Sequence, residues 1–254
     1  MRLGAVTYNV LKDWDVEAII KNLEETGFEA VELRTGHKHG VEPSLGAAER
    51  ARVRERFAKS KARLLSYGTT CEFHSPEAAV RAKQVEIGRQ FVDLAHDTGA
   101  WGVKVRPNGL PKEVPPETTI RNIGAALREL GEYGQGRGVE IWLEVHGRET
   151  SAPPVAAAIM KAANHGQVGL CWNSNAGDIV NGSIKESFRL LRPWLKSVHI
   201  NELASDRYPW RELFTLLRET KYDRYTLCEA QESKEPERFL RWYSALWREL
   251  NRPC

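Results

Sequence analysis

Features that would assign this chain to several familiar classes are missing from it. Four cysteines occur, none in a Cys-x-x-Cys spacing, so the sequence does not indicate a disulfide framework. No run of about 18 apolar residues is present, the length that a membrane-spanning helix requires. The apolar stretch before Asn9 is too short for a signal peptide. We therefore expect a cytoplasmic protein with reduced, buried thiols. The four cysteines are Cys71, Cys171, Cys228 and Cys254.

An excess of charge and a phosphate-binding glycine turn are missing as well. The chain has 37 basic and 34 acidic residues, a net charge of +3, so it offers no strong field to nucleic acid or to a membrane. No GxGxxG turn follows the first predicted strand, which argues against an open dinucleotide-binding sheet. We expect neither nucleic acid nor a membrane as a partner.

Strand and helix patterns instead alternate from one end of the chain to the other. Apolar runs of strand length are each followed by an amphipathic helical pattern, and the Ser75-Pro76 pair predicts the start of the third helix. Eight such units, without a linker between them, predict parallel strands with right-handed crossovers. The 254 residues, 41% of them hydrophobic, are enough for one large core. We predict a single-domain (β/α)8 TIM barrel over residues 1–254.

Polar residues follow four consecutive predicted strands of this barrel. The stretch GVEIWLEVHG, from Gly138 to Gly147, is nearly continuous in apolar residues until Glu144 and His146. The next three strands end in the same manner, with Asn173, His199 and Glu229. Since catalytic groups of such barrels lie at the C-terminal ends of the strands, these four side chains are predicted to converge. They are Glu144, Asn173, His199 and Glu229.

This set of side chains indicates a metal site. Two carboxylates, an amide oxygen and an imidazole suit one divalent ion, Mn²⁺ or Mg²⁺ before Zn²⁺ or Co²⁺, and the lack of thiolate ligands argues against structural zinc. Such an ion polarises a sugar carbonyl and stabilises the enediolate that forms when the neighbouring carbon loses a proton. The sequence therefore predicts a metal-dependent enzyme.

The segments LEVHG, GLCWNSN, VHINE and LCEA together resemble the xylose isomerase-like barrel superfamily, in particular its sugar isomerase and epimerase branch. VELR on the second strand and YPWRELF after the seventh extend the resemblance over the whole chain. It implies a small sugar substrate, one metal ion bound by the four strand-end residues, and an acid–base pair formed by Glu144 and Glu229. Asn173 stands where the family usually has Asp, which implies weaker metal binding. Family members are often dimers or tetramers, so the resemblance also allows a homo-oligomer.

Further polar residues at the strand ends are predicted to hold the substrate. Their cationic and hydrogen-bonding groups suit a hydroxylated compound, including an anionic or phosphorylated one. The predicted substrate-binding residues are Tyr8, Arg34, His37, His39, His74, Lys104, Arg106, His146, Asn175 and Asn201.

Several alternatives remain open at this stage. Glu144 alone is equally well explained by a salt bridge to Lys104 or Arg106. The same barrel and the same enolate chemistry serve a dehydratase or lyase, and Asn173 keeps open a carbohydrate-binding barrel without activity. Endonuclease IV, a DNA-repair enzyme of similar fold, is disfavoured because the Asp-x-His pair expected after the seventh strand is missing from NELASDRYPW.

Overall fold

Eight parallel strands close into a barrel in the computed structural model, which describes residues 1–252. Each strand pairs with the next along the chain, and the eighth pairs with the first. The predicted (β/α)8 barrel is confirmed, while Cys254 lies outside the described residues. The strands are β1 (Arg2–Val6), β2 (Ala30–Arg34), β3 (Arg63–Glu72), β4 (Gly102–Arg106), β5 (Glu140–Glu144), β6 (Val168–Asn173), β7 (Leu195–Ile200) and β8 (Tyr225–Cys228).

A helix follows every strand and covers the outside of the barrel. The first of them begins after Asp15, whose side chain accepts a hydrogen bond from the Ala18 amide, and ends at Gly27 in the left-handed conformation (φ 79°). The eight helices are α1 (Val16–Thr26), α2 (Ala47–Ala58), α3 (Ala78–Thr98), α4 (Pro116–Gln135), α5 (Pro153–Ala163), α6 (Lys185–Leu191), α7 (Trp210–Glu219) and α8 (Pro236–Leu250). Short 3₁₀ turns occur at Ala176–Asp178 and Arg192–Trp194.

The predicted start of the third helix is wrong by two residues. Helix α3 begins at Ala78, after Glu77, rather than at Pro76. The Arg81 guanidinium donates to the carbonyl oxygens of both Ser75 and Pro76 (2.8 Å each), and the Ser75 hydroxyl accepts from the Glu77 amide. These bonds hold the Ser75-Pro76 pair in a turn before the helix, which sequence pattern alone does not reveal.

Two hydrophobic clusters place the polar strand ends. The larger one packs the outward faces of the strands against the helices. The smaller one lies in the interior of the barrel and includes Trp142, Cys171 and Leu227. Because side chains two residues apart lie on the same face of a strand, the residues two positions later face the barrel interior as well. Those residues are Glu144, Asn173 and Glu229.

The N-terminal end of the barrel is closed by an ion-pair network around Glu140. Arg224 contributes two guanidinium bonds to this carboxylate (2.5 and 3.1 Å), Lys196 an ammonium bond (3.0 Å) and Trp142 an indole bond (2.8 Å). This network stabilises the end of the barrel opposite to the polar strand ends.

Among residues 1–252, no helix is both long and apolar enough to cross a membrane. Cys71, Cys171 and Cys228 are buried and unpaired.

Candidate functional site

A polar cavity of about 230 Å³ opens at the C-terminal ends of the strands. Side chains from β2, β4, β5 and β6 and from the loops after β1, β7 and β8 form its walls. Five carboxylate or cationic groups face one another in this small space, so the cavity suits a polar ligand. Its lining residues are Tyr8, Asn9, Arg34, Lys104, Arg106, Glu144, His146, Asn173, Asn201, Glu229 and Gln231.

Three of the four predicted metal ligands form a compact cluster of donor atoms at this cavity. One donor atom each from Glu144, His199 and Glu229 lie within 4.8 Å of one another. The Nδ1 atom of His199 is 3.2 Å from Glu229 Oε2 and 3.9 Å from Glu144 Oε1. Glu144 and His199 are buried, with 3% and 0% of their surface exposed. The strands thus direct two carboxylates and one imidazole toward a common point.

Asn173 lies beside this cluster and has an unused acceptor. Its amide nitrogen donates to Glu144 Oε1 at 3.1 Å, while its Oδ1 atom is buried and has no hydrogen-bond partner within residues 1–252. A buried acceptor without a donor is unfavourable in free energy. A divalent cation would satisfy it, and the carboxylate, imidazole and amide donors are of the type that Mn²⁺, Mg²⁺ or Zn²⁺ accepts. The donor set therefore fits a metal ion.

Glu32 supports His199 from below the cavity, and the sequence analysis did not identify it as a site residue. Both residues are fully buried, and Glu32 Oε1 lies 3.3 Å from His199 Nε2. The other Glu32 oxygen accepts from the Ser66 hydroxyl at 2.8 Å. Glu32 Oε1 and His199 Nε2 form no hydrogen bond with each other, so Glu32 acts as a buried negative charge beside this edge of the ring, while Nδ1 faces Glu229 Oε2 within hydrogen-bond distance (3.2 Å). The sequence contained one signal for this role, because Glu32 is a charged residue within the apolar run of the stretch EAVELR.

Lys104 forms a buried ion pair with Glu144. The ammonium nitrogen lies 2.5 Å from Glu144 Oε2, and both side chains are only 3–4% exposed. Arg106, the other partner considered from the sequence, pairs instead with Glu72 (2.5 Å). Glu144 Oε2 thus faces Lys104, whereas its Oε1 atom faces Asn173 and His199.

These contacts determine the charge states of the cluster. Burial alone would raise the pKa of Glu144, but the positive charges of Lys104 and His199 outweigh it and lower this pKa to about 2. For His199, burial opposes protonation, yet the Cys171 sulfur and the carboxylates of Glu229 and Glu32 raise its pKa well above 6.5. Glu144 is thus ionised, whereas His199 has to lose its Nδ1 proton before that nitrogen can bind a cation.

The predicted substrate-binding residues divide into two groups. Six of them line the cavity. Among these, Arg106 forms a salt bridge with Glu72, whereas Arg34 forms none with a carboxylate of residues 1–252. Four do not line it: both ring nitrogens of His39 bond to backbone groups of Arg34 and Val41, and His37 bonds to the Thr7 hydroxyl. The six lining residues are Tyr8, Arg34, Lys104, Arg106, His146 and Asn201. The four outside the cavity are His37, His39, His74 and Asn175.

The loop after β6 is held by a buried chain of hydrogen bonds. The Trp172 indole donates to the Tyr208 hydroxyl (3.0 Å), which donates to Asp178 (2.9 Å). The same Asp178 oxygen accepts from the Asn175 amide (2.7 Å), and the Asn175 side chain donates to the Val145 carbonyl (2.6 Å). Burial raises the pKa of Asp178 to about 7. Asn175 is thus a structural anchor for the loop that follows Asn173.

The family of the chain follows from its match to a family model. Residues 20–249 match the xylose isomerase-like TIM barrel, so the chain belongs to this family and the resemblance inferred from the strand ends is confirmed. The comparison with curated proteins gives no match.

Solved structures with the same fold cover nearly the whole chain. D-psicose 3-epimerase from Clostridium cellulolyticum H10, in complex with D-tagatose, superposes with a TM-score of 0.83 at 13% identity, over 100% of both chains. The IOLI protein with a bound zinc atom gives 0.78 at 16% identity, over 98% and 96% of the chains. A probable 3-DHS dehydratase from Bacillus anthracis gives 0.75 at 13% identity, over 98% and 99%. This chain therefore shares its fold with sugar epimerases and with a protein of dehydratase type.

Proposed function

We propose that this protein is a metal-dependent isomerase or epimerase that acts on a small keto sugar or a related polyol. The observation that carries the proposal is the convergence of Glu144, His199 and Glu229 on one cavity, with donor atoms within 4.8 Å of one another. Membership of the xylose isomerase-like family supports it, since sugar epimerases share this fold.

The residues that would hold the metal ion are Glu144, Asn173, His199 and Glu229. A bound Mn²⁺ or Mg²⁺ supplies Lewis-acid polarisation of the substrate carbonyl and stabilises negative charge on its oxygen. Glu32 places a buried negative charge beside His199 Nε2, on the side of the ring away from the two carboxylates. Lys104 keeps Glu144 in place and ionised.

Proton transfer is assigned to Glu144 and Glu229. In this proposal one glutamate, as the carboxylate, removes the proton from the carbon next to the carbonyl. The other glutamate, as the carboxylic acid, donates a proton to the opposite face, and proton exchange with solvent restores both starting forms. Return to the same carbon with inverted configuration is epimerisation, whereas return to the neighbouring carbon is isomerisation. Both carboxylates line the cavity, so both reach a substrate held there.

The remaining cavity walls are assigned to substrate orientation. Asn9, Asn201 and Gln231 offer amide groups to sugar hydroxyls, and Arg34 offers a guanidinium without a carboxylate partner among the described residues. These groups fix the position of the reacting carbon relative to the two glutamates. Asn9 and Gln231 are additions to the predicted substrate-binding residues.

The test is a panel of ketopentoses and ketohexoses, with and without phosphate, incubated with Mn²⁺ in D₂O and followed by NMR. We expect deuterium at one carbon of substrate and product, without loss of the carbon skeleton. Glu229→Gln and Glu144→Gln should each reduce the rate about 10²- to 10⁴-fold, while Glu202→Gln, outside the cavity walls, should not. Ligand binding without any exchange of carbon-bound hydrogen would contradict the proposal and favour a carbohydrate-binding barrel.

Dehydration is the second candidate activity, and the position of Lys104 favours it. A buried ammonium on the cavity wall is placed to protonate a leaving hydroxyl, which β-elimination from the same enediolate requires. Release of water and the appearance of an absorbing conjugated product in the same panel would establish this reaction in place of epimerisation.

A further inference from the structure

Lys104 forms a salt bridge with the carboxylate of Glu144, which is also a ligand of the proposed metal ion. Its ammonium group lies 2.5 Å from Glu144 Oε2, and the Asn173 amide nitrogen lies 3.1 Å from Glu144 Oε1. Both oxygens of Glu144 therefore have a hydrogen-bond donor from the protein itself. The pair is almost completely buried, with side-chain exposures of 3% and 4%. Solvent screens the charge of Lys104 much less at this depth than at the surface.

The local charge balance follows from these contacts. Three carboxylates, Glu32, Glu144 and Glu229, surround His199, and the Lys104 ammonium offsets one of them. Asn173 adds an oxygen but no charge. A divalent ion bound by Glu144 would be a second cation beside a carboxylate that already pairs with the Lys104 ammonium. Like charges repel strongly at short range in a buried site, and the number of ligand charges sets cation affinity.

We infer that Lys104 is a positioning residue that competes with the divalent ion for Glu144 and so sets a weak, readily reversible metal affinity. The inference rests on the proposed metal site and adds a determinant of its strength. When the metal ion leaves, Lys104 and Asn173 keep the Glu144 carboxylate in its place, so the cavity stays formed. In this geometry Lys104 affects metal binding through its charge and not through its packing.

The test is calorimetric titration of the chelator-treated protein with Mn²⁺ alone. We expect Lys104→Met to bind Mn²⁺ about tenfold more tightly than the wild type, or tighter still, because one positive charge is removed from Glu144. Asn173→Asp should also tighten binding, because it adds a negative charge without touching Lys104. Lys196→Met is the matched control. It removes a lysine from another Lys–Glu ion pair, at the opposite end of the barrel, and should leave Mn²⁺ affinity unchanged.

The outcomes separate this inference from the proposed function. Equal or weaker Mn²⁺ binding by Lys104→Met than by the wild type overturns the inference and leaves the metal site standing. No Mn²⁺ binding by the wild type or by any variant overturns both. If Lys104→Met does not fold, Lys104→Gln carries the same test, because its neutral amide keeps a hydrogen-bond donor. Tighter binding by Lys104→Gln supports a role of the charge.

Discussion

Glu32 Oε1 and His199 Nε2 lie 3.3 Å apart in a fully buried layer beneath the cavity. We expect Glu32→Gln to weaken Mn²⁺ affinity and to lower kcat/KM about 10- to 100-fold, because the His199 ring loses the buried negative charge beside its Nε2 edge. Titration calorimetry and steady-state kinetics measure the two effects. Ser66→Ala removes the hydrogen bond that Glu32 Oε2 accepts but keeps the charge of Glu32, so it should have the smaller effect of the two. Unchanged affinity and kcat/KM in Glu32→Gln would show that His199 is oriented without Glu32.

Gly68 provides the space that Glu32 occupies. A Cβ atom at this position would lie 2.7 Å from Glu32 Oε1. We expect Gly68→Ala to destabilise the fold by about 1–3 kcal/mol through overpacking and to lower Mn²⁺ affinity as Glu32→Gln does. Gly166→Ala is the control, because nothing lies within 4 Å of its added Cβ. Urea unfolding and calorimetry compare the two variants, and an equally mild effect of both would contradict this explanation.

The barrel and its strand ends were predictable because they depend on local pattern. Apolar runs followed by Glu144, Asn173, His199 and Glu229 indicate parallel strands and the edge at which they end. Glu32 was not identified because it lies within its strand, where a single sequence does not distinguish an inward charge from an outward one. Its role depends on closure of the barrel, which brings β2 to β7 across the interior.

The loop histidines show a second limit of sequence reasoning. His39 was predicted to bind the substrate because it follows the end of the second predicted strand, but its two ring nitrogens bond to the Arg34 carbonyl and the Val41 amide. Such bonds depend on the conformation of the loop, which the sequence pattern does not define. The Lys104–Glu144 pair was considered from the sequence as an alternative to a metal ligand, and the structure contains this pair, while the role of Glu144 as a metal ligand stays a prediction.

Asp178 should make the free energy of unfolding decrease as pH rises. A salt-bridged carboxylate with a lowered pKa has the opposite effect. Burial raises its pKa from 3.8 to about 7, so between about pH 4 and pH 7 the folded protein binds more protons than the unfolded chain. The free energy of unfolding therefore decreases as pH rises through this range, by up to ~4 kcal/mol, and stays low above it. Asp178→Asn should remove this dependence and be the more stable protein at pH 8.

Urea unfolding of both proteins at pH 5 and pH 8 measures the contribution of Asp178. Asp206→Asn, an exposed aspartate in the loop after β7, is the matched control and should keep the wild-type dependence. A difference between wild type and Asp178→Asn that is the same at both pH values would contradict the assignment.

The Glu140 network should contribute to stability and not to the site. Glu140→Gln removes the charge that Arg224 and Lys196 share, so we expect a loss of about 1–3 kcal/mol in the free energy of unfolding. Mn²⁺ affinity should be unchanged, because the network lies at the other end of the barrel. Parallel unfolding and calorimetric measurements check both statements, and a change in Mn²⁺ affinity would contradict the separation of the two ends.

The most direct test of the metal centre is the melting temperature of chelator-treated protein with and without an excess of Mn²⁺. An ion that binds only the folded state raises the melting temperature by mass action. We predict an increase for the wild type that is lost in both His199→Ala and Glu229→Gln. A wild type that melts at the same temperature with Mn²⁺, or variants that retain the full increase, would contradict the assignment of this cluster as a metal site.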